Sequence, residues 1–410
     1  MKAENAIWLV LLLSLMFSLY GLGDKSLWFD EAFTAQALRE GFGDMMKTIY
    51  SDVHPPLYYA FMKLWTGIFG YSEYALRLPS AIFGVACVYL SCLLGRSWYD
   101  GKTGLLAALL LSLSGLFLRY CQEARMYTMF TMFALLTLYF FTKRNWQLFA
   151  LSAILGIYTH FMGFVVILIV LVHSAIKKEV SGYLVLSCII IAVAGLPLLP
   201  IITNAWSMKQ AETWGMLADI HFVPRYLGLF LGGGELLGLL FFCFFVRQII
   251  RTKKALPLLW VAIPLIFGFA LAFFIPVSTT GRYFLFVLPA YLVVIASSIL
   301  SMKKGYLTVI MLLIVIDVSA VSLLAEYSRE KTDWRGATAY VDSNVLPGDG
   351  IAVEPGWAGD AFRYYSKNEL RPGNRIWVIQ LDDAPLNYPG YAAVSEREFT
   401  SLRVRILQKT

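Results

Sequence analysis

Apolar runs of about 20 residues recur along the chain from Leu9 to Leu324, and each is long enough to cross a hydrocarbon core of ~30 Å. Charged residues make up only 15% of the chain, against roughly 25% in soluble domains. Apolar runs that are this long and this frequent exceed what one water-soluble core can bury. The sequence therefore predicts an all-α polytopic membrane protein.

Basic residues gather in short loops between the apolar runs. These loops are Arg96 to Lys102, Lys143-Arg144, Lys177-Lys178, Arg247 to Lys254, and Lys303-Lys304. Short loops rich in Lys and Arg stay on the cytoplasmic side of a membrane. We therefore interpret the formal net charge of +7 as the result of loops that orient the chain in the membrane. No nucleic-acid partner is expected. We expect a multi-pass protein of the plasma (inner) membrane that contacts membrane lipids.

Placing these basic loops in the cytoplasm predicts about eleven crossings, or about twelve if one basic loop faces outward. The stretch 147–176 is too long for one crossing, so we expect two short helices that turn near His160. Segment 54–70 carries Lys63 at its middle, which is costly in lipid. After the first outer loop, 23–53, the sequence therefore predicts an interfacial helix on the outer membrane face.

The last part of the chain, 326–410, is rich in charged residues, Gly and Pro, and it has no long apolar run. It is predicted to form a small α/β domain on the extracytoplasmic side, after a transmembrane domain of residues 1–325. Its predicted elements are helices at 334–341 and 360–366 and strands at 350–355 and 375–381.

Two adjacent carboxylates, Asp30 and Glu31, follow the first span and stand among aromatic residues. One interpretation is structural, because acidic residues at the start of a helix over 32–39 are stabilised by the helix dipole. The other interpretation is catalytic, because a carboxylate beside an apolar surface suits removal of a proton from a hydroxyl acceptor. The residues alone leave both interpretations open.

His54 stands before the paired prolines that begin the next helical segment, and Tyr58 and Tyr59 follow it. Proline favours the first turn of a helix, and tyrosines suit a membrane interface. His54 is either a surface residue at a helix start or a residue that faces a substrate cavity.

Arginines stand at the predicted outer ends of several spans, at Arg77, Arg119, Arg125 and Arg282. A single charge at the edge of a span is often a snorkelling anchor. Several arginines on one face indicate a phosphate-binding surface instead, because guanidinium forks hold phosphate oxygens bidentately. The expected ligand is the phosphate of a lipid headgroup.

Five motifs follow one another along the chain: "FDEAFTAQALREG", "HPPLYY", "ALRLPSAIFG", "QEARMY" and "GRYFLFVLPA". Together they resemble the motifs of bacterial and archaeal glycosyltransferases of the C-type fold, glycosyltransferase family 39 in the broad sense. That group includes protein O-mannosyltransferases and the aminoarabinose transferase that modifies lipid A. The resemblance covers about residues 5 to 300, and segment 333–351 resembles the outer domain of many bacterial members.

The resemblance implies a polyprenyl-phosphate sugar donor and transfer, on the outer face, to a lipid, glycan or protein acceptor. It places the catalytic base at Asp30, with Glu31 beside it as a second catalytic candidate. Arg125 and Arg282 are expected near the donor phosphate, and Arg77 is a third candidate for that role.

Other candidates for substrate binding are His54, Tyr58, Tyr59, Glu123 and Tyr127. Some relatives carry an acidic residue or lysine at the position of His54, and some hold a divalent metal. Whether this chain shares that metal is left open, with Glu31 and His54 as the candidate ligands.

The expected reaction is a single displacement. Asp30 accepts the proton of the acceptor hydroxyl, the oxygen attacks the anomeric carbon, and polyprenyl phosphate leaves with inversion of that centre. A retaining double displacement with Glu31 as nucleophile is not excluded. Two other functions compete with this one: a transporter or flippase of a lipid-linked glycan, which predicts inverted repeats and broken helices, and a non-catalytic scaffold of the cell envelope.

Overall fold

A computed structural model describes residues 3–51, 54–211, 219–275, 277, 280–382 and 384–410. The chain forms two compact units. The first consists of Met1–Tyr20, Met46–Phe61 and Leu78–Tyr327, and the second of Gly21–Met45, Met62–Arg77 and Ser328–Thr410. The second unit thus combines residues 328–410 with two segments from the first fifth of the chain.

The helices in chain order begin with α1 Ala3–Leu19, α2 Phe29–Arg39, α3 Phe42–Ser51, α4 Leu57–Phe69, α5 Glu73–Trp98, α6 Gly101–Ser112, α7 Gly115–Cys121, α8 Tyr127–Thr142, α9 Trp146–Thr159 and α10 Met162–Lys177. They continue with α11 Gly182–Gly195, α12 Leu199–Ala211, α13 Phe222–Leu231, α14 Glu235–Thr252, α15 Ala255–Leu271, α16 Leu288–Leu300, α17 Gly305–Ser328, α18 Trp334–Asn344 and α19 Gly359–Tyr365.

Several helices have the length and apolar composition of membrane spans, which confirms the predicted all-α polytopic architecture. In the described parts of the chain, four helical segments pass this test, or up to six if each of two bent pairs is counted as one span. The four are Glu73–Trp98, Gly182–Ser207, Arg282–Leu300 and Gly305–Ser328. The total number of crossings, about eleven from the charge pattern, stays a prediction.

Two apolar stretches, 104–118 and 224–246, are each divided between two helices. Helices α6 and α7 meet at a bend of 66°, and α13 and α14 at a bend of 86°. At the first break the Ser114 side chain accepts a hydrogen bond from the Phe117 backbone N–H at 3.3 Å and starts a new helix. At the second break Gly232 ends α13 with φ +71°, a left-handed conformation that glycine adopts without steric cost.

The predicted turn near His160 is confirmed. Helix α9 ends at Thr159 and α10 begins at Met162. The two helices approach each other closely behind the turn, because a Cβ atom added at Gly163 would stand 2.7 Å from the backbone nitrogen of Ile157. The short turn therefore fixes the position of His160 within the first unit.

Lys63 is a charged residue in the middle of the apolar helix α4, and hydrogen bonds to backbone carbonyls stabilise its charge. The Lys63 ammonium donates hydrogen bonds to the carbonyl oxygens of Leu38, at 2.6 Å, and Glu40, at 2.5 Å, at the end of α2. Terminal carbonyls lack partners within their own helix and carry partial negative charge. Lys63 thus closes the end of α2, while the interfacial position of the segment stays a prediction.

The second unit contains a four-stranded sheet of order β1-β2-β4-β3. Its strands are β1 Gly350–Glu354, β2 Arg375–Leu381, β3 Tyr391–Phe399 and β4 Leu402–Lys409. Strands β1 and β2 are parallel and joined through α19, whereas β2 with β4 and β3 with β4 are antiparallel. Ile376, Val378 and Leu407 form a buried apolar cluster on one face of the sheet.

The predicted small α/β domain is therefore present, with helices α18 and α19 and strands β1 and β2 at their predicted positions. The hairpin of β3 and β4 was not predicted. Its turn contains Ser401 at φ 59°, where hairpins usually have Asn-Gly or Asp-Gly. The sequence gives no such signal between the two strands.

The predicted orientation can be tested across α17, the helix that separates the loop of Lys303 and Lys304 from the C-terminal tail. In a variant whose five cysteines are replaced by serine, we introduce Ser343→Cys or Lys304→Cys, both at exposed positions. A thiol reagent that does not cross membranes, added to intact cells, should label Cys at 343 and spare 304. Lysed cells, in which both should react, are the control, and the opposite labelling would contradict the topology.

Candidate functional site

In the second unit, Glu31 lies in the first turn of α2 and is fully buried. Its Oε1 accepts a hydrogen bond from Nε of Arg77 at 2.7 Å, and its Oε2 accepts one from the Arg77 terminal nitrogen at 2.8 Å. Lys331 contacts Oε2 at 3.2 Å. The Trp28 backbone N–H donates to the same oxygen at 3.3 Å, so Glu31 also caps its own helix.

Arg77 donates every N–H of its guanidinium group within this unit. Beyond the two bonds to Glu31, it donates to the carbonyl oxygens of Leu22, Lys25 and Ser26 at 2.8–3.0 Å. A guanidinium group has five N–H donors, and these contacts use all of them. Arg77 therefore anchors the 22–31 segment in this structure, and its predicted role in binding the donor phosphate stays a prediction.

The same geometry limits what Glu31 can do. Both oxygens accept hydrogen bonds from cations, and the side chain has no exposed surface. A nucleophile for double displacement must reach an anomeric carbon, and a metal ligand must turn a free lone pair to the ion. We therefore assign Glu31 a positioning role: it orients the first turn of α2.

Asp30 precedes Glu31 in the same turn, and its side chain is half-buried. The N-cap of α2 is Trp28, so Asp30 does not occupy the capping position. Beside it, the ring of Phe29 meets Trp357 edge to face with centroids 4.7 Å apart. The structure thus holds Asp30 on an ordered turn next to an aromatic pair.

Tyr365, from the last turn of α19, stabilises the same segment. Its hydroxyl accepts a hydrogen bond from the Leu27 backbone N–H at 2.7 Å and donates to Glu73 at 3.0 Å. Burial raises the pKa of the Tyr365 phenol. The hydroxyl therefore stays protonated and can donate while it accepts, which keeps the segment before Asp30 in place.

In the first unit, Arg125 lies in a bend between α7 and α8 and is 2% exposed. One terminal nitrogen donates to Nε2 of His54 at 2.9 Å, and the other donates to the Tyr59 hydroxyl at 3.3 Å. The Arg125 carbonyl accepts a hydrogen bond from Ser80 at 3.3 Å. Because arginine only donates, His54 accepts at Nε2 and is neutral in this arrangement.

His54 also lines a cavity of about 420 Å³ in the first unit. Apolar side chains of α10, α12 and α15 form most of its wall, among them Leu168, Trp206 and Leu271. The polar side chains of the lining are His54, His160 and Tyr283, and the rings of His160 and Tyr283 have centroids 5.7 Å apart. The cavity therefore combines an apolar chamber with a polar end.

His160 is a candidate that the sequence reasoning did not identify as functional. Its Nδ1 accepts a hydrogen bond from the Met162 backbone N–H at 3.1 Å, and its ring stacks on Phe130 with centroids 5.1 Å apart. A neutral imidazole that accepts at Nδ1 carries its proton at Nε2. The signal available in the sequence was a lone polar side chain at the turn of an apolar helical hairpin.

Arg282 begins a short 3-10 helical segment after Gly281, which has φ +78°. Its guanidinium carbon lies 5.3 Å from the ring centroid of Tyr283. Arg125 donates to His54, and Arg282 directly precedes Tyr283 in the chain; His54 and Tyr283 both line the cavity. The two arginines predicted to bind phosphate therefore adjoin lining residues of one cavity, and their role there stays a prediction.

The remaining candidates for substrate binding lie in the first unit, and several contact one another or His160. Tyr58 and Tyr59 are fully buried, with ring centroids 5.6 Å apart. Tyr127 packs against Tyr120 at 5.2 Å and against His160 at 6.1 Å. Glu123 is 5% exposed and lies in the same bend as Arg125.

A divalent metal does not fit its two candidate ligands as they stand. Across the described residues no group of three or more His, Cys, Asp or Glu side chains could hold a metal ion. Glu31 accepts from Arg77 and Lys331, and His54 accepts from Arg125. Both candidates thus already accept hydrogen bonds from cationic side chains, and the described residues offer no third ligand beside them.

Residues 53–206 match the family model described as dolichyl-phosphate-mannose-protein mannosyltransferase. An uncharacterized protein of Aquifex aeolicus (strain VF5) is 34% identical over 158 residues, which is 36% of this chain and 32% of that protein. The match thus spans about a third of that relative's length.

The solved structures that resemble this chain include two membrane transferases. ArnT from Cupriavidus metallidurans, bound to undecaprenyl phosphate, matches with a TM-score of 0.64 and 12% identity over 99% of this chain and 98% of ArnT. The archaeal oligosaccharyltransferase AglB from Archaeoglobus fulgidus, with an inhibitory peptide and a dolichol-phosphate, matches with a TM-score of 0.59 and 13% identity. That alignment covers 94% of this chain and 61% of AglB.

The fold is similar to that of ArnT and AglB, and part of the chain matches the mannosyltransferase family model. The similarity in fold extends over nearly the whole chain, and the match to the family model includes the segments of His54 and Arg125. The resemblance inferred from the five motifs is confirmed.

The buried ion pair gives a stability prediction. Arg77→Met leaves the Glu31 carboxylate buried without its fork, and loss of one partner of a buried pair costs about 3–5 kcal/mol. We expect the free energy of unfolding in mixed detergent micelles to fall by this amount. Arg363→Met is the matched control, because its pair with Asp360 is exposed (56% and 23%) and such pairs contribute ~1 kcal/mol or less. Equal losses in the two variants would contradict the anchor role.

Proposed function

We propose that this protein is a membrane glycosyltransferase that transfers a sugar from a polyprenyl-phosphate donor to a hydroxyl or phosphate acceptor. The observation that carries the proposal is the cavity of about 420 Å³ in the first unit. It has an apolar chamber and a polar end beside a buried arginine. A lipid phosphate has the same division into a hydrocarbon chain and an anionic headgroup.

The apolar wall suits a prenyl chain. Phe164, Leu168 and Leu271 offer hydrocarbon surface without competing hydrogen-bond groups. Burial of apolar area contributes roughly 25 cal/mol per Å². A chain seated along this wall would hold its phosphate near His54 and His160.

Arg125 supplies the charge for the phosphate. Its side chain is almost completely buried and its orientation is fixed by His54 and Tyr59. A donor that is already oriented in a dry site stabilises developing negative charge without reorganising. When the sugar departs, the carrier phosphate gains charge, and Arg125 together with Arg282 would stabilise it most at that point.

Two similar structures support this substrate class through the ligands they were solved with. ArnT was solved with undecaprenyl phosphate and AglB with a dolichol-phosphate. Their identity to this chain is 12% and 13%, so the argument for the same ligand chemistry here rests on the residues of the cavity.

We propose Asp30 as the base, on the basis of the resemblance of the "FDEAFTAQALREG" motif. Its side chain is half-buried, whereas the Glu31 side chain is fully buried and accepts hydrogen bonds from Arg77 and Lys331. One base and one anionic leaving group give a single displacement with inversion at the anomeric carbon. The double displacement would require Glu31 to leave its cations, so we do not favour it.

The transporter hypothesis predicts broken helices, and the α13–α14 pair is one such feature, bent by 86° at its glycines. A transporter or flippase leaves the sugar on its carrier, whereas a transferase releases free carrier phosphate.

The transferase proposal includes transfer on the outer face to a lipid, glycan or protein acceptor of the cell envelope.

Arg125 provides the direct test of lipid-phosphate binding. Arg125→Ala should weaken binding of undecaprenyl phosphate by about 10- to 100-fold, because charged hydrogen bonds contribute about 1.5–3 kcal/mol. Arg125→Lys should restore little, since a point charge does not replace the fork. Native mass spectrometry of the purified variants measures the affinity.

Arg96→Ala, at an exposed position on another part of the first unit, is the control for the loss of one positive charge. If Arg125→Ala binds undecaprenyl phosphate as tightly as Arg96→Ala does, the phosphate is held elsewhere.

Asp30→Asn tests the base. Asn has the shape of Asp but accepts no proton, and a lost general base typically costs about 10²–10⁴-fold in rate. Asp30 is not the N-cap, so we expect stability to change by less than about 1 kcal/mol, the scale of a helix-dipole interaction. Cells that carry either form are compared by mass spectrometry of envelope lipids and glycans, which also identifies the modified acceptor.

The matched control is Asp24→Asn, an exposed carboxylate in the same unit. It should preserve both the modification and stability. A stable Asp30→Asn protein that modifies the envelope at the normal level would rule out Asp30 as the base.

A further inference from the structure

A second cavity in the first unit, of about 560 Å³, is separate from the site described above. Three interhelical loops surround it: the loop after α8, the loop after α10, and the loop between α14 and α15. All three belong to the basic loops that the charge pattern assigns to the cytoplasmic side. The cavity thus lies at the end of the helix bundle where positive charge is concentrated.

Its charge is strongly one-sided. The basic residues of the lining are Arg144, Lys177, Lys178, Lys253 and Lys254. The lining has one carboxylate, Glu179, which pairs with Arg144 at 3.0 Å. Among the residues that the structure describes, Lys177, Lys178 and Lys253 have no carboxylate within ion-pair distance.

The backbone at this cavity is also unusual. Arg144, Lys178 and Lys253 have φ of 54°, 54° and 53° where α8, α10 and α14 end. Glycine is the residue that adopts this left-handed conformation without steric cost. Glycine would be less strained at all three positions, but each carries a long basic side chain instead. A cation at the C-terminus of a helix interacts favourably with the helix dipole.

Apolar and aromatic side chains complete the wall. Trp98, Phe141, Trp146 and Leu256 line the cavity beside the basic residues. Tryptophan is enriched where hydrocarbon meets headgroups. An apolar wall offers no hydrogen bonds or charge to a free phosphate ion. A phospholipid has both a phosphate group and apolar chains, so it can contact the basic residues and the apolar wall together.

We propose that this cavity binds the phosphate group of an anionic phospholipid of the predicted cytoplasmic leaflet. The lysines hold the phosphate, and Trp98, Trp146 and Leu256 contact the glycerol and the start of the acyl chains. Basic pockets between transmembrane helices bind anionic headgroups in this way. The site is independent of the proposed transfer reaction and uses none of its residues.

The experiment uses the full chain in nanodiscs of phosphatidylcholine with an increasing share of phosphatidylglycerol. The variant Lys177→Gln with Lys254→Gln removes two cavity charges at positions of ordinary backbone conformation. The control, Lys303→Gln with Lys304→Gln, removes two exposed charges from another predicted cytoplasmic loop. Retained phosphatidylglycerol is counted by native mass spectrometry, and the midpoint of thermal unfolding is measured at each composition.

We expect phosphatidylglycerol to stay bound to the wild-type protein and to raise its unfolding midpoint, because a ligand that binds the folded state stabilises it. The cavity variant should bind it about 10- to 30-fold more weakly, from roughly three- to fivefold for each lysine. The control variant should match the wild type. Inorganic phosphate, added to the same nanodiscs, should not displace the lipid.

Three results would overturn the proposal. The first is an unfolding midpoint and lipid count that do not depend on phosphatidylglycerol. The second is an equal loss in the cavity and control variants, which would show general attraction to a negative membrane. The third is complete displacement by inorganic phosphate, which would show a site for a free anion.

Discussion

The structure depends on one constraint of the membrane: a backbone N–H or carbonyl in hydrocarbon must find its partner within the protein. Continuous helices meet this constraint, and irregular backbone is tolerated where it is buried or lines a cavity. The bend that carries Arg125 and the turn that carries His160 are such irregular places in the first unit, and Gly281 is another. The arginines proposed to bind the donor phosphate lie in such a place or, for Arg282, directly after one.

In the second unit, the buried pair of Glu31 and Arg77 stabilises a segment that has no regular secondary structure. The chain between α1 and α2 has no regular structure, and three of its carbonyl oxygens accept from the Arg77 guanidinium. Burying two charges is costly unless each is paired and fully hydrogen-bonded. Here every oxygen and nitrogen has a partner, so the pair fixes the turn that presents Asp30.

Positive charge has two separate uses in the first unit. Arg125 is 2% exposed and held by His54 and Tyr59, so its orientation is set before any ligand arrives. Lys177, Lys178 and Lys253 at the second cavity are exposed and lie at the ends of helices. A preorganised guanidinium stabilises charge that develops in a reaction, whereas flexible ammonium groups suit a resident lipid phosphate.

The sequence by itself determined the apolar helices and the α/β tail, because hydrophobic patterning and local motifs act over short separations. It did not reveal the breaks at Ser114 and Gly232, where a cap or a glycine outweighs an apolar pattern that continues on both sides. The β3–β4 hairpin was missed because its turn has no strong residue signal. Only the tertiary structure assigned Arg77 to Glu31 and brought His160 to the cavity of His54. These partners lie far apart in the chain, and a charged or polar side chain looks the same in a sequence whether it binds a ligand or another residue.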